Sequence, residues 1–367
     1  MTYCIRQKHF TSADGRRETH AIVRPEGRGS FAAQLREVAD AISSLISGFK
    51  DETPVLARFF LSDAANQAAA VRALGLPCAV SVVEQQPLGG EKIAAWLWLQ
   101  QGVSCEKDAD GFLRVKHAPY TTLLQTSACE PGLHSSTATR AMLGDLALKL
   151  GQAGGSMLHN CLRTWLFVRD VDVNYAGVVA GRNELFALNG LTPDTHFIAS
   201  TGINGAHEDP TVTVQMDSLC CLGLKPGQVT QLKAPTHLNP TAEYGVAFER
   251  GTAVDFGDRR HVYISGTASI NNRGEVVHVG DIARQTQRMI ENVGALLAEA
   301  GCGFGDVGHL IVYLRDIADR DEVETLFRER FPDIPRVLVH APVCRPAWLI
   351  EMECMAFKAQ RSDYAAF

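Results

Sequence analysis

The sequence predicts an α+β fold of three tandem units, with helices outside and sheets facing a pseudo-threefold core. The first observation behind this is internal similarity. An amphipathic helix, an apolar strand closed by Asp, a second helix and a further strand pair recur three times in that order. The second is geometric: a sheet with helices on one side leaves its other face uncovered, and three such faces can bury one another. The third is length, since 367 residues suffice for two or three compact units.

In the first copy the helix spans 31–49, with Leu35, Val38, Ile42, Leu45 and Ile46 on one side. The strand Val55 to Leu61 follows, closed by Ser62-Asp63, then a short helix over 66–74 and strands near 79–83 and 93–99. The second copy has a helix over 137–150, the strand Arg163 to Asp170, a helix over 175–188, and strands near 196–199 and 211–216. The third opens with a hairpin, 261–265 and 276–278, turning through Asn271-Asn272-Arg273-Gly274. Its helix, 282–300, carries Ile282, Met289, Val293, Leu296 and Leu297 as a stripe; the strand 310–314 ends at Arg315-Asp316, and a helix over 321–331 and strands 336–340 and 349–357 complete it. Polar 101–111 and Pro-containing 225–240 read as linkers, so the expected units are 1–110, 111–235 and 236–367.

Composition narrows the function classes. With 46% hydrophobic and 21% charged residues, the chain has the make-up of an ordinary globular protein. A net charge of -6 without a basic stripe argues against nucleic-acid binding. No run approaches a transmembrane span and the N-terminus lacks an apolar signal core, so neither membrane nor export is expected and the cytoplasm is the default. Ten cysteines without paired spacing read as reduced thiols, and the histidines never fall at ligand spacing; no metal and no cofactor is implied.

The last strand carries the chemistry. Ile350, Met352, Cys354 and Ala356 form one apolar face, while Leu349, Glu351, Glu353 and Met355 point the other way. Two carboxylates about 7 Å apart along one strand, among apolar residues and after Cys344-Arg345, are candidates for raised pKa values and proton transfer, or else the solvated edge of a half-buried strand. Aligned by their apolar faces, the first copy places Ala94 and Trp96 at those points and the second Thr213 and Gln215, so only the third copy keeps acids there. Gly303 to Gly308 fits G-x-G-x-x-G, but a helix precedes it and a strand follows, the reverse of a dinucleotide fingerprint. Ser200 to Asp209 reads either as a ligand loop offering backbone donors and the Thr201 hydroxyl or as a hairpin turn. Arg163-Thr164-Trp165 reads as a strand with an exposed edge residue or as a ligand clamp.

Residues 261–357 resemble the RidA/YjgF family of small trimeric proteins, through Tyr263-Ile264-Ser265-Gly266, Gly280-Asp281, Gln285-Thr286, Asn292, Tyr313-Leu314-Arg315-Asp316 and Ile350 to Ala356. Residues 160–357 are more specifically similar to the chorismatases, which hydrolyse the enolpyruvyl ether of chorismate; the matching segments include Arg163-Thr164-Trp165, Gly181-Arg182, Ser200 to Ile203, Ile264 to Ser269, His278 to Asp281 and Val343-Cys344-Arg345. The resemblance implies Glu353 as the general acid, assisted by Glu351 and Cys344, with pyruvate and a hydroxybenzoate or dihydrodiol as products. Members forming 3-hydroxybenzoate share Cys at position 344 and Gly at 266. It further implies Arg345 and Arg163 as carboxylate clamps, with Arg250, Tyr244, Gly266 and Thr201 around the substrate. One segment departs: Tyr244 to Arg250 is two residues shorter than its chorismatase counterpart and lacks an arginine and the prolines. Arg336 stands where RidA proteins bind the carboxylate of 2-imino acids, so an imine deaminase is the alternative, and a non-catalytic small-molecule binder the third. The expected partner is a small carboxylate substrate, and the expected assembly a pseudo-trimeric monomer or a homo-oligomer of it.

Overall fold

A computed structural model describes residues 3–367, except for the Tyr244 side chain; the expected contact of Tyr244 with substrate therefore lies outside the described residues. The first sheet is built from β1 (Tyr3–Thr11), β2 (Arg17–Pro25), β3 (Glu52–Leu61), β4 (Ala79–Glu84) and β6 (Ile93–Gln101), with α1 (Phe31–Gly48) and α2 (Ala64–Arg72) outside; the two-residue β5 (Gln86–Pro87) leaves it for another sheet. The second contains β7 (Ser104–Lys107), β8 (Leu113–His117), β9 (Tyr120–Cys129), β10 (Cys161–Val168), β11 (Ala199–Asn204) and β12 (Val214–Leu222), with α3 (Ser135–Gln152), α4 (Met157–Asn160) and α5 (Val171–Leu188). The third contains β13 (Val229–Leu232), β14 (Gly251–Asp255), β15 (Arg259–Ala268), β16 (Val307–Leu314), β17 (Arg336–His340) and β18 (Ile350–Ala359), with α6 (Ile282–Glu299) and α7 (Arg320–Arg330). The fold is thus α+β with three repeated sheets, as the internal similarity predicts.

The Asp that closes each repeated strand has a local cause in two copies. Asp63 accepts the Asn66 N–H and caps α2, and Asp316 accepts the Ala318 N–H at 2.8 Å. Asp170 instead adopts a left-handed conformation, φ 48, and makes no side-chain cap. In α1, Val38, Ala41, Ile42 and Leu45 bury against the first sheet at helical spacing.

The other sheet faces meet in the middle. One continuous hydrophobic cluster contains Trp96, Trp165 and Ile311, one from each sheet. The seams close as a ring. Glu84 bridges Ala206, Ile203 bridges Val343, and β5 of the first unit pairs with β17 of the third.

Several elements differ from the expected ones. The hairpins that open the units (β1 with β2, β8 with β9, β14 with β15) were not expected in the first two copies, because their polar-rich alternation is weak. In the third copy β15 pairs with β14 and β18, while 276–278 makes only the bridge Val276 to Ile270. Both expected linkers hold a strand: β7 joins the second sheet and β13 the third. We therefore propose unit edges at these changes of sheet, near 102 and 225. No described helix is long and apolar enough to cross a membrane.

Candidate active site

The second and third sheets enclose a cleft of about 510 Å³, solvent mouth included. From the second unit come Tyr175 and Arg182 of α5 and Ser200 and Gly202 of β11; from the third come Phe248 and Arg250, Gly266 of β15, Cys344, Arg345 and Trp348 of the loop before β18, and Glu351 of β18. The seam that holds these walls together is short: Ile203 bridges Val343, and the Asn204 N–H donates to the Pro342 carbonyl at 3.2 Å.

Glu351 is 4% exposed, and its carboxyl lies directly over the Gly266 Cα. A Cβ at position 266 would stand 2.1 Å from its Oε1, so glycine is needed there for the acid to fit. Position 266 falls within a break in register between β15 and β18, which brings its backbone toward the carboxyl. Burial pushes the Glu351 carboxyl up to about 8, and the nearby Glu353 charge adds to this; Arg163 and Arg250 pull it partly back. Near neutral pH it therefore keeps its proton and faces the cleft, which a general acid requires.

Glu353, the acid expected from resemblance, lies elsewhere. Its Oε2 accepts from Arg163 Nη2 at 2.9 Å and from the Thr201 hydroxyl at 2.5 Å; its Oε1 accepts from Trp165 Nε1 at 2.8 Å and lies 3.6 Å from Arg58 Nη1. Every neighbour is a donor, so this carboxylate is consumed by the core and does not line the cleft. Of the two carboxyls, the one that lines the cleft is Glu351, two residues earlier on the strand.

Strand register shows which positions of the three copies correspond. Opposite Glu351 stands Tyr313; its counterparts, three residues before the closing Asp of each repeat, are Phe60 and Phe167, which face Ala94 and Gln215. Opposite Glu353 stands Ile311; its counterparts Arg58 and Trp165 face Trp96 and Asp217. The second copy therefore contributes Gln215 and Asp217 rather than Thr213 and Gln215. Asp217 is a second core acid, paired with Arg58 at 2.9 Å, so only Glu351 is unique to the third copy. At the seam between first and second units, Gln215 spends its amide on the Val82 carbonyl at 2.9 Å.

The other expected residues divide. Cys344 and Arg345 line the cleft, with the Arg345 guanidinium 5.0 Å from the Trp348 ring centroid. Burial, and then the Glu351 charge, push the Cys344 thiol up to about 12, so it is a neutral thiol rather than a nucleophile. Arg250 lines the cleft from a buried position, its Nη2 donating to the Asn239 carbonyl at 3.0 Å and its guanidinium 5.3 Å from the Phe248 ring. Arg163 is not an exposed clamp: it is 2% exposed and binds Glu353, Thr201 and Ser265. Thr201 shares that core position, while its neighbours Ser200 and Gly202 face the cleft. Of the 200–209 segment expected as a loop or a hairpin turn, 200–204 belong to β11 and only 205–209 lie outside a strand. Arg336 stays outside the cleft, its Nη2 donating to Glu324 at 2.8 Å and its Nη1 to the Phe331 carbonyl at 3.0 Å.

One residue of the cleft has no role assigned from the sequence. Arg182 on α5 is 1% exposed and lines the cleft, and its Nε and Nη2 have no hydrogen-bond partner among the described residues. A buried guanidinium with unmet donors, held 5.8 Å from the Phe248 ring, is built for an anion. In the sequence it stands in the Gly181-Arg182 pair that matches the chorismatases, where it is given no ligand role.

Comparison with known proteins agrees with this architecture. The model of the endoribonuclease L-PSP family matches residues 247–358. A 3-aminoacrylate deaminase RutC from Acinetobacter baylyi is 35% identical over 97 residues, 26% of this chain and 77% of the relative. A RutC family protein of Pyrococcus abyssi is 34% identical over 129 residues, 34% of this chain and 92% of the relative. Across the whole chain, the structure of a chorismatase superposes with a TM-score of 0.64 at 19% identity, covering 97% of this chain and 99% of that one, a likeness of fold.

Proposed function

Since the chain belongs to the RidA/YjgF (endoribonuclease L-PSP) family, we propose that it is an enzyme of carbon protonation and water addition, acting on the enolpyruvyl ether of chorismate or a close relative. The observation that carries this is a protonated, buried Glu351 facing a cleft walled by Arg182, Arg250 and Arg345. The guanidiniums suit a substrate with more than one carboxylate, and the whole-chain likeness to a chorismatase supplies the choice of ether.

The chemistry follows from these groups. The Glu351 carboxylic acid gives its proton to the enolpyruvyl methylene; the alkene electron pair forms the new C–H bond and leaves an oxocarbenium ion at the ether carbon. Water adds to that carbon, and the Glu351 carboxylate takes the released proton. The hemiketal then breaks its bond to the ring oxygen, which leaves with the hemiketal proton, giving pyruvate and the ring alcohol. The neutral Cys344 thiol stands beside the acid at the cleft wall, where it shapes the space around the ring.

A second reading uses the same acid. An enamine acid such as 3-aminoacrylate also needs protonation at carbon and water addition to the resulting iminium, and a relative named for that substrate favours keeping it in view. In this reading too the site is Glu351 with the cleft arginines, and Arg336 has no part. We further propose that one chain, closed as a ring of three units, supplies the complete site without a second copy.

Incubation of the purified protein with chorismate, with pyruvate measured by coupled reduction to lactate, tests the first reading. Pyruvate release that falls about 10²–10⁴-fold in Glu351→Gln supports it. Ammonia from 3-aminoacrylate without pyruvate from chorismate selects the second reading, and neither product rejects both.

A further inference from the structure

Glu353 makes no contact with the cleft, yet it is tied to the backbone on which the acid rests. The Thr201 hydroxyl donates to Glu353 and accepts the Gly266 N–H at 2.9 Å. Arg163 joins the same cluster through Nη2 to Glu353 and Nη1 to the Ser265 hydroxyl at 3.2 Å. That hydroxyl accepts the Ser200 N–H at 2.9 Å and donates to the Glu249 carbonyl at 2.6 Å. Ser265 and Gly266 occupy the register break of β15, and Gly266 is the surface against which the Glu351 carboxyl packs.

We propose that Glu353 is a positioning residue: through Thr201 it pins the Gly266 backbone beneath the Glu351 carboxyl, and it places a second carboxyl group two residues along the same strand, about 7 Å away from Cα to Cα. The proposal rests on Glu351 being the acid of the site. Arg163, Trp165 and Thr201 donate hydrogen bonds to the Glu353 carboxyl, and the Arg58 guanidinium lies 3.6 Å from it. Burial first, and then the Glu353 charge, oppose ionisation of Glu351, which holds its proton into the neutral range.

The other charged or titratable groups around Glu351 come from every neighbouring element. They are Tyr313 on β16, Arg163 on β10, Tyr175 and Arg182 on α5, Arg250 before β14, and Cys344 and Arg345 in the loop. Unlike these groups, Glu353 is an acid joined through the Thr201 hydroxyl to the Gly266 N–H. The same side chain thereby handles both geometry and proton affinity.

Carboxyl-carbon NMR titration of the whole protein, with Glu351 assigned by its loss in Glu351→Gln, reads proton affinity without any substrate. In Glu353→Gln the Glu351 midpoint is expected to fall by about one pH unit or more. Thr201→Val keeps the charge and removes the bridge: the midpoint stays, Gly266 amide exchange quickens at least tenfold, and Thr201→Ser restores slow exchange. An unmoved midpoint in a folded Glu353→Gln overturns the electrostatic part, and unchanged Gly266 exchange in Thr201→Val overturns the positioning part. If Glu353→Gln does not fold, the wild-type titration decides the electrostatic part, since a Glu351 midpoint at the ordinary carboxyl value refutes it. A Glu351 midpoint that falls in Glu353→Gln, in a protein that releases no pyruvate, would reject the proposed reaction while leaving this inference standing.

Discussion

Replacing Glu351 with Gln exchanges a buried titrating acid for a neutral side chain of nearly the same shape, and the reasoning above demands a pH-dependent gain in stability. The folded-state value is about 8 against an ordinary value of 4.5. Below pH 4.5 both the folded and the unfolded wild-type chains carry the proton, and this group adds no pH dependence. Between the two values the unfolded chain ionises while the folded chain does not. Wild-type stability therefore falls by about 1.4 kcal/mol for each pH unit. Over that interval the loss amounts to about 5 kcal/mol, and above pH 8 it levels off because the folded state ionises as well. The Gln variant lacks this loss, so its advantage over wild type should grow from near zero at pH 5 to several kcal/mol at pH 8. Urea unfolding of both proteins, followed by tryptophan fluorescence from pH 5 to 9, measures the difference directly. Parallel stability curves would refute the raised proton affinity of Glu351 and the acid mechanism with it.

Arg182→Ala should raise KM for a dicarboxylate about 10–100-fold with a smaller effect on kcat, the loss of one charge-assisted contact; steady-state kinetics on the confirmed substrate check this. Gly266→Ala should abolish measurable turnover, because its Cβ would stand 2.1 Å from Glu351 Oε1, at a stability cost of about 1–3 kcal/mol seen by thermal melting. Arg58→Met should destabilise the fold by about 3–5 kcal/mol in urea unfolding, since it strands the buried Asp217 carboxylate. Arg336→Ala should leave turnover within about twofold and cost less than about 1 kcal/mol, because it breaks one partly exposed pair with Glu324 far from the cleft.

Much of the framework can be read from periodicity alone. The amphipathic stripe of α1 and the Asp-closed strands β3, β10 and β16 are local patterns, and local patterns survive in any correct fold. The opening hairpins β1–β2 and β8–β9 escaped because their burial depends on the neighbouring strand rather than on their own alternation. At the site, Glu351, Cys344, Arg345, Arg250 and Gly266 were all in view from the chain, whereas Arg163, Thr201 and Arg336 were assigned to the cleft and belong elsewhere. Arg182 was in view only as part of a matched pair, because a polar residue on a helix carries no sign that its donors will be sealed from water without partners among the described residues.

Covalent order along the chain settles which residues share a strand face, so two carboxylates beside a Cys-Arg pair were bound to lie side by side on β18. It does not settle which of them water and substrate can reach. That choice is made by groups far along the chain: Arg58, Arg163, Trp165 and Thr201 close over Glu353, while Gly266 leaves open space at Glu351. Proton affinity depends on burial and on neighbouring charge, and both come into being only when the three sheets meet.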